Sequence, residues 1–286
     1  MYKKAIKENS KYLIPFIEGI KYYGSNEIEH GLGTMMILNK NGDILTCKHI
    51  AKEFIENETL SKKYKEFLKE YKDASKEERS NIEKKYNYKK DSIVLSNINL
   101  PFNIEGQLSI EIKFHKYLDI AVIRFKGVNF ECDKYPIFSK KLPLQGQSLC
   151  KLGFAFPEYS YFEYSKKANN IILKKEITSN FPLFPMDGIM TRHVVDENGN
   201  ISMFETSTPG LRGQSGGPVF SPEGIVYGMQ SMTRHLDLNF DVNADVKRGI
   251  NKKKVNFTPF INLGIEINSV KIIEFLEENN IEYNSL

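Results

Sequence analysis

Between residues 31 and 51 the chain reads GLGTMMILNKNGDILTCKHIA, two β-rich runs joined by Asn41-Gly42, a dipeptide that accepts the positive φ of a tight turn. A β-hairpin is predicted there, with His49 at its far end. The pattern then changes period. Tyr64, Phe67, Leu68 and Tyr71 fall at i, i+3, i+4 and i+7 within a stretch dense in Lys and Glu, the apolar stripe of an amphipathic helix. Ser75 followed by Glu78 reads as a capping box opening a second helix. Residues 51–90 are therefore expected to form a helical insertion with one charged, solvated face.

The period of two returns in LSIEIKFHKYLDIAVIRF, where Leu108, Ile110, Ile112 and Phe114 alternate with Ser109, Glu111, Lys113 and His115. His115 is placed on the polar surface face. DIAVIRF is a compact apolar strand opened by Asp119. From about residue 136 more short strands follow: GQSLCKLGFAF, GIMTRHVV, an Asn198-Gly199 turn into ISMFETS, and PVFSPEGIVYGMQSM. Residues 237–256 are polar and include Lys252, Lys253 and Lys254, and they are read as a surface loop. FINLGIEINSVKIIEFLEENN is a strand followed by a helix that Asn268 or Ser269 caps. Many short strands separated by turn signals predict a mainly β molecule of the barrel or sandwich kind.

Composition narrows the function classes. The 286 residues are 41% hydrophobic, enough for a sizeable core, and 40 basic against 36 acidic residues leave a net charge of +4, too balanced for a nucleic-acid footprint. Cys47, Cys132 and Cys150 are an odd set with no C-x-x-C spacing, which argues against a disulfide framework and a zinc site and for a reducing compartment. The first 24 residues lack the apolar core and cleavage site of a signal peptide, and no run of 18 apolar residues occurs. The expectation is a cytoplasmic protein with no membrane span, no cofactor and no metal. His30, His193 and His235 are scattered surface or loop residues, and Cys47 is a packing residue.

GLRGQSGGPVF, residues 210–220, poses the chemical question. Its glycines suit a plain turn, yet they also suit a strained turn that holds Ser215 outward as a nucleophile. The second reading needs a base and a carboxylate elsewhere. His49 and Asp119, each in its own strand context, precede Ser215 in that order.

With those segments together, the chain resembles the trypsin/chymotrypsin-like serine proteases, and the bacterial Deg (high-temperature-requirement) type more than the secreted digestive type. GLGTMMILNKNGDILTCKHIA is similar to the family's opening hairpin, YLDIAVIRF to its aspartate strand, GQSLCKLGFAFP to the start of its second barrel, and FETSTPGLRGQSGGPVFSPEGIVYGMQS to its nucleophile segment. The resemblance implies two packed antiparallel β-barrels, residues 1–135 and 136–286, with the helical insertion in the first and the C-terminal helix in the second. It implies His49, Asp119 and Ser215 as a catalytic triad and the N–H groups of Gly213 and Ser215 as the oxyanion hole. Where digestive enzymes carry an aspartate that receives a freshly cut N-terminus, this chain has Gln214, so a different route to competence is expected. Thr208, Pro209, Tyr227 and Met229 are expected to bind substrate, and Met229 to favour a small or medium apolar side chain. A protein or peptide substrate follows, with a regulatory partner at the 51–90 insertion. A catalytically silent or partner-gated peptide-binding protein is the alternative.

Overall fold

The computed structural model describes residues 1–100, 109–128, 130, 132–156, 162–174, 181–195, 199–248 and 251–286. One sheet holds β1 (Leu13–Tyr22), β2 (Ile28–Ile37), β3 (Asp43–Thr46), β4 (Ile93–Asn99), β5 (Ser109–Phe114) and β6 (Ala121–Lys126). They lie in the antiparallel order β4-β1-β2-β3-β6-β5. Next come β7 (Ile137–Phe138), β8 (Ser148–Gly153), a two-stranded ribbon of β9 (Phe162–Ser165) and β10 (Asn170–Leu173), β11 (Phe184–Val195), β12 (Ile201–Thr206), β13 (Pro218–Phe220) and β14 (Val226–Asp237). A second ribbon, β15 (Val242–Arg248) and β16 (Asn251–Phe257), precedes β17 (Phe260–Asn268) and the short β18 (Asn284–Ser285). Strands β13, β8, β11, β12, β17 and β14 pair in succession and β14 returns to β13, closing a six-stranded antiparallel barrel. The molecule is mainly β, a curled sheet beside a closed barrel, in keeping with the expected double-barrel architecture.

One apolar cluster joins the two halves: Met35, Met36, Ile44, Ile123 and Phe125 of the first sheet share it with Leu152, Phe220 and Ile267 of the second and with Leu276 of the C-terminal helix. Each such side chain contributes about 1.5–3 kcal/mol by leaving water, so the halves hold each other through the same core that holds each alone. Helix α1 (Lys3–Asn9) lies on the second half, where Tyr2 just before it packs edge-on to Phe220 and donates its hydroxyl to Ser148. The helical insertion is α2 (Lys48–Tyr71) and α3 (Lys76–Tyr86). Its expected stripe docks it: Phe67 meets the rings of Tyr23, Tyr86 and Tyr88 at centroid distances of 5.8, 5.4 and 4.9 Å. Ser75 and Glu78 form the expected capping box, and α4 (Ser269–Glu278) is capped by Asn268, whose side chain takes the Lys271 N–H.

Three readings change, and one segment without a prior assignment, the run around Pro15, becomes a strand. His49 does not close the hairpin: β3 stops at Thr46 and His49 sits in the first turn of α2, which runs on without a break into the insertion. The 237–256 stretch is no plain loop, because Val242, Ala244 and Val246 face Phe257, Val255 and Lys253 across β15 and β16, an alternation that the lysine run obscures. The N-terminal run around Pro15 is strand β1; Pro15, which has no N–H, lies where β1 pairs with β2 alone, since β4 joins only from Ile17 onward. His115 is less a surface residue than a turn brace, its Nδ1 accepting the N–H groups of Tyr117 and Leu118. Leu108 and Asn198 lie outside the described residues.

Glu18 of β1 is buried beside β4, where its carboxylate accepts the Ser96 hydroxyl. Burial, opposed only in part by that hydrogen bond, pushes its pKa up to about 7. A carboxyl raised in the folded state takes up protons on folding, so stability is unaffected below its unfolded pKa of about 4.3 and falls as pH rises toward 7. Denaturant titrations should show Glu18→Gln more stable than the parent at about pH 8, by roughly 3 kcal/mol, and equal to it near pH 4. An equal difference at both pH values would contradict this.

Candidate active site

The register of β3 on β6 pairs Thr46 with Ala121, so the residues just past each strand end, His49 and Asp119, emerge side by side. Cys47 is the N-cap of α2 but supplies no side-chain cap. Asp119 does so from just before β6: its Oδ1 accepts the His49 backbone N–H at 3.0 Å and its Oδ2 faces His49 Nδ1 at 2.9 Å. A carboxylate at a helix N-terminus meets unsatisfied N–H groups and the positive end of the helix dipole, a favourable placement for negative charge. A third donor arrives from the second barrel, where Ser231 on β14 gives its hydroxyl to Asp119 Oδ2 at 2.7 Å. Burial raises the Asp119 carboxyl, but the hydrogen bonds from His49 and Ser231 outweigh it and the net direction is down. Asp119 is thus an anion at neutral pH, and the His49 ring, 55% exposed, is held by one nitrogen and open at the other.

Ser215 sits in a turn sewn to both halves. Its carbonyl takes the Thr34 N–H at 2.9 Å, and the next residue's N–H, that of Gly216, goes to Gln230 O at 2.9 Å. Thr34 also gives its hydroxyl to Gly213 O at 2.7 Å. Two glycines in the turn are obligatory. At Gly213, with φ +99°, an added Cβ would stand 2.0 Å from Phe154 O, and at Gly216, with φ +85°, it would stand 2.0 Å from Thr34 O. No acceptor among the described residues takes the N–H of Gly213 or Ser215. The Ser215 hydroxyl donates to the carbonyl of Ser231 at 3.3 Å, so one residue touches both the serine and the carboxylate. The structure therefore brings His49, Asp119 and Ser215 to one place, linked through Ser231.

Gln214 is fully buried. Its side-chain carbonyl accepts the Leu211 N–H at 3.0 Å and its amide donates to Phe184 O at 2.9 Å, bracing the turn from within with no charge. Thr208 and Pro209 lead into this turn and are half-buried. Tyr227 packs on Leu149, Met190, Phe204 and Val219, and Met229 is completely buried in the shared core, so both lie upstream of the part of β14 that borders Ser215. That part is Ser231 to Thr233. Ser231 escaped the sequence reading, because nothing in its own segment marks it and its partners, Asp119 and Ser215, lie in other segments of the chain.

Among the described residues, Cys47, His49 and Asp119 are the three whose donor atoms come close enough for a metal ion, within 4.8 Å of one another. Their chemistry suits hydrogen bonding better. The Cys47 thiol is fully buried, raised well above its usual range by desolvation, and donates to Gln230 O, while Asp119 already accepts three donors. A soft thiolate site is not what these atoms offer.

Two packed β units, one carrying a histidine–carboxylate pair and the other a glycine-braced serine turn, define a two-barrel peptidase architecture. The model of the trypsin-like peptidase domain matches residues 33–229, more than half of the 286-residue chain, and the protein belongs to that family. No curated protein matches the chain significantly.

Replacing Ser231 with Ala removes one of the three donors to Asp119. Carbon-13 NMR titration of the Asp119 carboxyl should then show its midpoint rising by about one pH unit, the worth of one hydrogen bond to a charged group. An unmoved midpoint would show that the Ser231 contact does not stabilise the anion.

Proposed function

We propose that the protein is a serine endopeptidase, closer to the Deg type than to the secreted digestive enzymes, acting through His49, Asp119 and Ser215. The observation that carries this is the convergence on Asp119: the His49 ring and backbone and the Ser231 hydroxyl bind one carboxylate, and the same Ser231 meets the Ser215 hydroxyl. With Nδ1–H directed at Asp119, the other ring nitrogen of His49 is the unprotonated one, the tautomer that a general base requires. The Ser215 hydroxyl turns from Ser231 toward it, gives up its proton, and Oγ bonds to the substrate carbonyl carbon. Negative charge forms on the carbonyl oxygen, where the N–H groups of Gly213 and Ser215 receive it. Collapse breaks the C–N bond, the histidine hands its proton to the departing amine, and an acyl-enzyme remains. Water, activated by the same histidine, releases it.

The neutral bracing of Gln214 supports a turn that needs no charged N-terminus to hold it. Three free cysteines accord with a reducing, cytoplasmic setting. The expected regulatory partner at the insertion is supported by one feature, the continuity of α2 from the first-turn His49 to Tyr71. A silent peptide-binding role is the weaker reading, because binding alone does not call for a hydrogen-bonded His49–Asp119 pair beside Ser215.

A fluorophosphonate probe should label Ser215 and leave Ser215→Ala unlabelled, and that variant should lose at least roughly 10³-fold in peptide hydrolysis. A folded, unlabelled parent protein would sink the proposal. His49→Ala should lose hydrolysis by at least roughly 10³-fold as well, since nothing then takes the serine proton. Hydrolysis at the parent rate in that variant would remove His49 from its role.

A further inference from the structure

Two walls flank Ser215, residues 208–210 before the serine turn and Ser231 to Thr233 on β14, whose Ser231 carbonyl accepts the Ser215 hydroxyl. Thr233 ties them together, its hydroxyl donating to Gly210 O at 2.7 Å. Behind this bridge lies Gln230, 2% exposed. An added Cβ on Gly210 would stand 2.2 Å from Gln230 Nε2, so the amide is pressed against the wall at the point where a glycine would otherwise leave room. Gln230 is anchored there by donating to Met232 O at 2.8 Å. The next glycine inward is filled too: a Cβ on Gly264 would stand 2.0 Å from Lys151 Nζ and 2.5 Å from Glu266 Oε1. Those two groups form an ion pair of 3.0 Å, 2% and 0% exposed.

The walls are fixed as well as close. Thr208 O accepts the Gly264 N–H at 2.8 Å and the Lys151 ammonium and Thr206 hydroxyl besides, which pins the first wall to the barrel interior. Gln230 Oε1, Glu266 Oε2 and Thr208 Oγ1 are buried without a hydrogen-bond partner, so this interior presents polar atoms to anything that would push in. A bulky apolar side chain entering the slot would break the Thr233 bridge, displace an anchored amide and desolvate those atoms. A long cation would meet a carboxylate that Lys151 already neutralises.

We infer that this slot admits only a small side chain, and that Thr233 and Gln230 limit the residue contributing the attacked carbonyl to Gly, Ala or Ser. The inference rests on Ser215 as the nucleophile, and it narrows the substrate class by residues other than Met229, which the core encloses. Thr233 and Gln230 determine specificity and take no part in the bond changes.

The test is a peptide series identical except for Ala, Leu, Phe, Lys or Gln at that residue. The parent should cleave the Ala peptide with kcat/KM at least tenfold above the others. Thr233→Gly, which removes the bridge, and Gln230→Ala, which empties the space behind it, should each raise the Leu-to-Ala ratio at least tenfold. Thr233→Ser, which keeps the hydroxyl, should retain the parent preference. A parent preference for Leu, Phe, Lys or Gln, or ratios unmoved in both opening variants, would overturn the inference. Calorimetric binding of the same peptides to Ser215→Ala separates the two claims. Unlabelled Ser215 together with tighter binding of the Ala peptide would remove only the nucleophile, whereas labelled Ser215 with indifferent binding would remove only the size limit.

Discussion

Everything at the site depends on one carboxylate. Asp119 receives the backbone and ring N–H groups of His49 from its own half of the molecule and the Ser231 hydroxyl from the other half. A partly buried anion is stable only when it is hydrogen-bonded, and here the carboxylate and its donors come from three chain segments, around Asp119, His49 and Ser231, that only the finished fold assembles. The β3–β6 register brings the first pair together, and β14 of the closed barrel delivers the third partner. Thr34 completes the connection by bonding to both Ser215 and Gly213, so the serine turn is referenced to the sheet that carries the histidine.

The same interaction ties the helical insertion to the chemistry. Asp119 is in effect the cap of α2, supplied in trans because Cys47 has no side-chain oxygen to cap it. The backbone of His49 is thereby the first hydrogen-bonded turn of a 24-residue helix whose far part is clamped by Tyr23, Tyr86 and Tyr88 around Phe67. A displacement of the insertion would reach His49 through a continuous helix. Cys47, buried and held as a thiol, fills the space beneath.

How much of this was readable beforehand follows from how local each signal is. LTCKHIA, YLDIAVIRF and GLRGQSGGPVF each announce their chemistry within a few residues, because turn glycines and a carboxylate opening an apolar strand are local requirements. The amphipathic stripe at Tyr64, Phe67, Leu68 and Tyr71 was legible for the same reason, although it gave no hint that the helix starts at Lys48. Ser231 was not legible, since its role comes from β14 crossing to the other half, a contact between residues 112 positions apart. For Tyr227 and Met229 the resemblance names the strand but not which of its residues face the site; the barrel's pairing turns Met229 into the core and puts Thr233 against Gly210 instead. Lysines 252–254 hid the β15–β16 ribbon because charge masks alternation when one face of a ribbon is solvated.

The central claim is that Asp119 fixes His49 in the tautomer with its proton on Nδ1. Nitrogen-15 NMR of the imidazole, recorded at about pH 8, tests it directly. The account predicts a protonated Nδ1 with a downfield proton resonance that disappears in Asp119→Ala. A proton on Nε2 instead, or a spectrum unchanged by removal of the carboxylate, would contradict it.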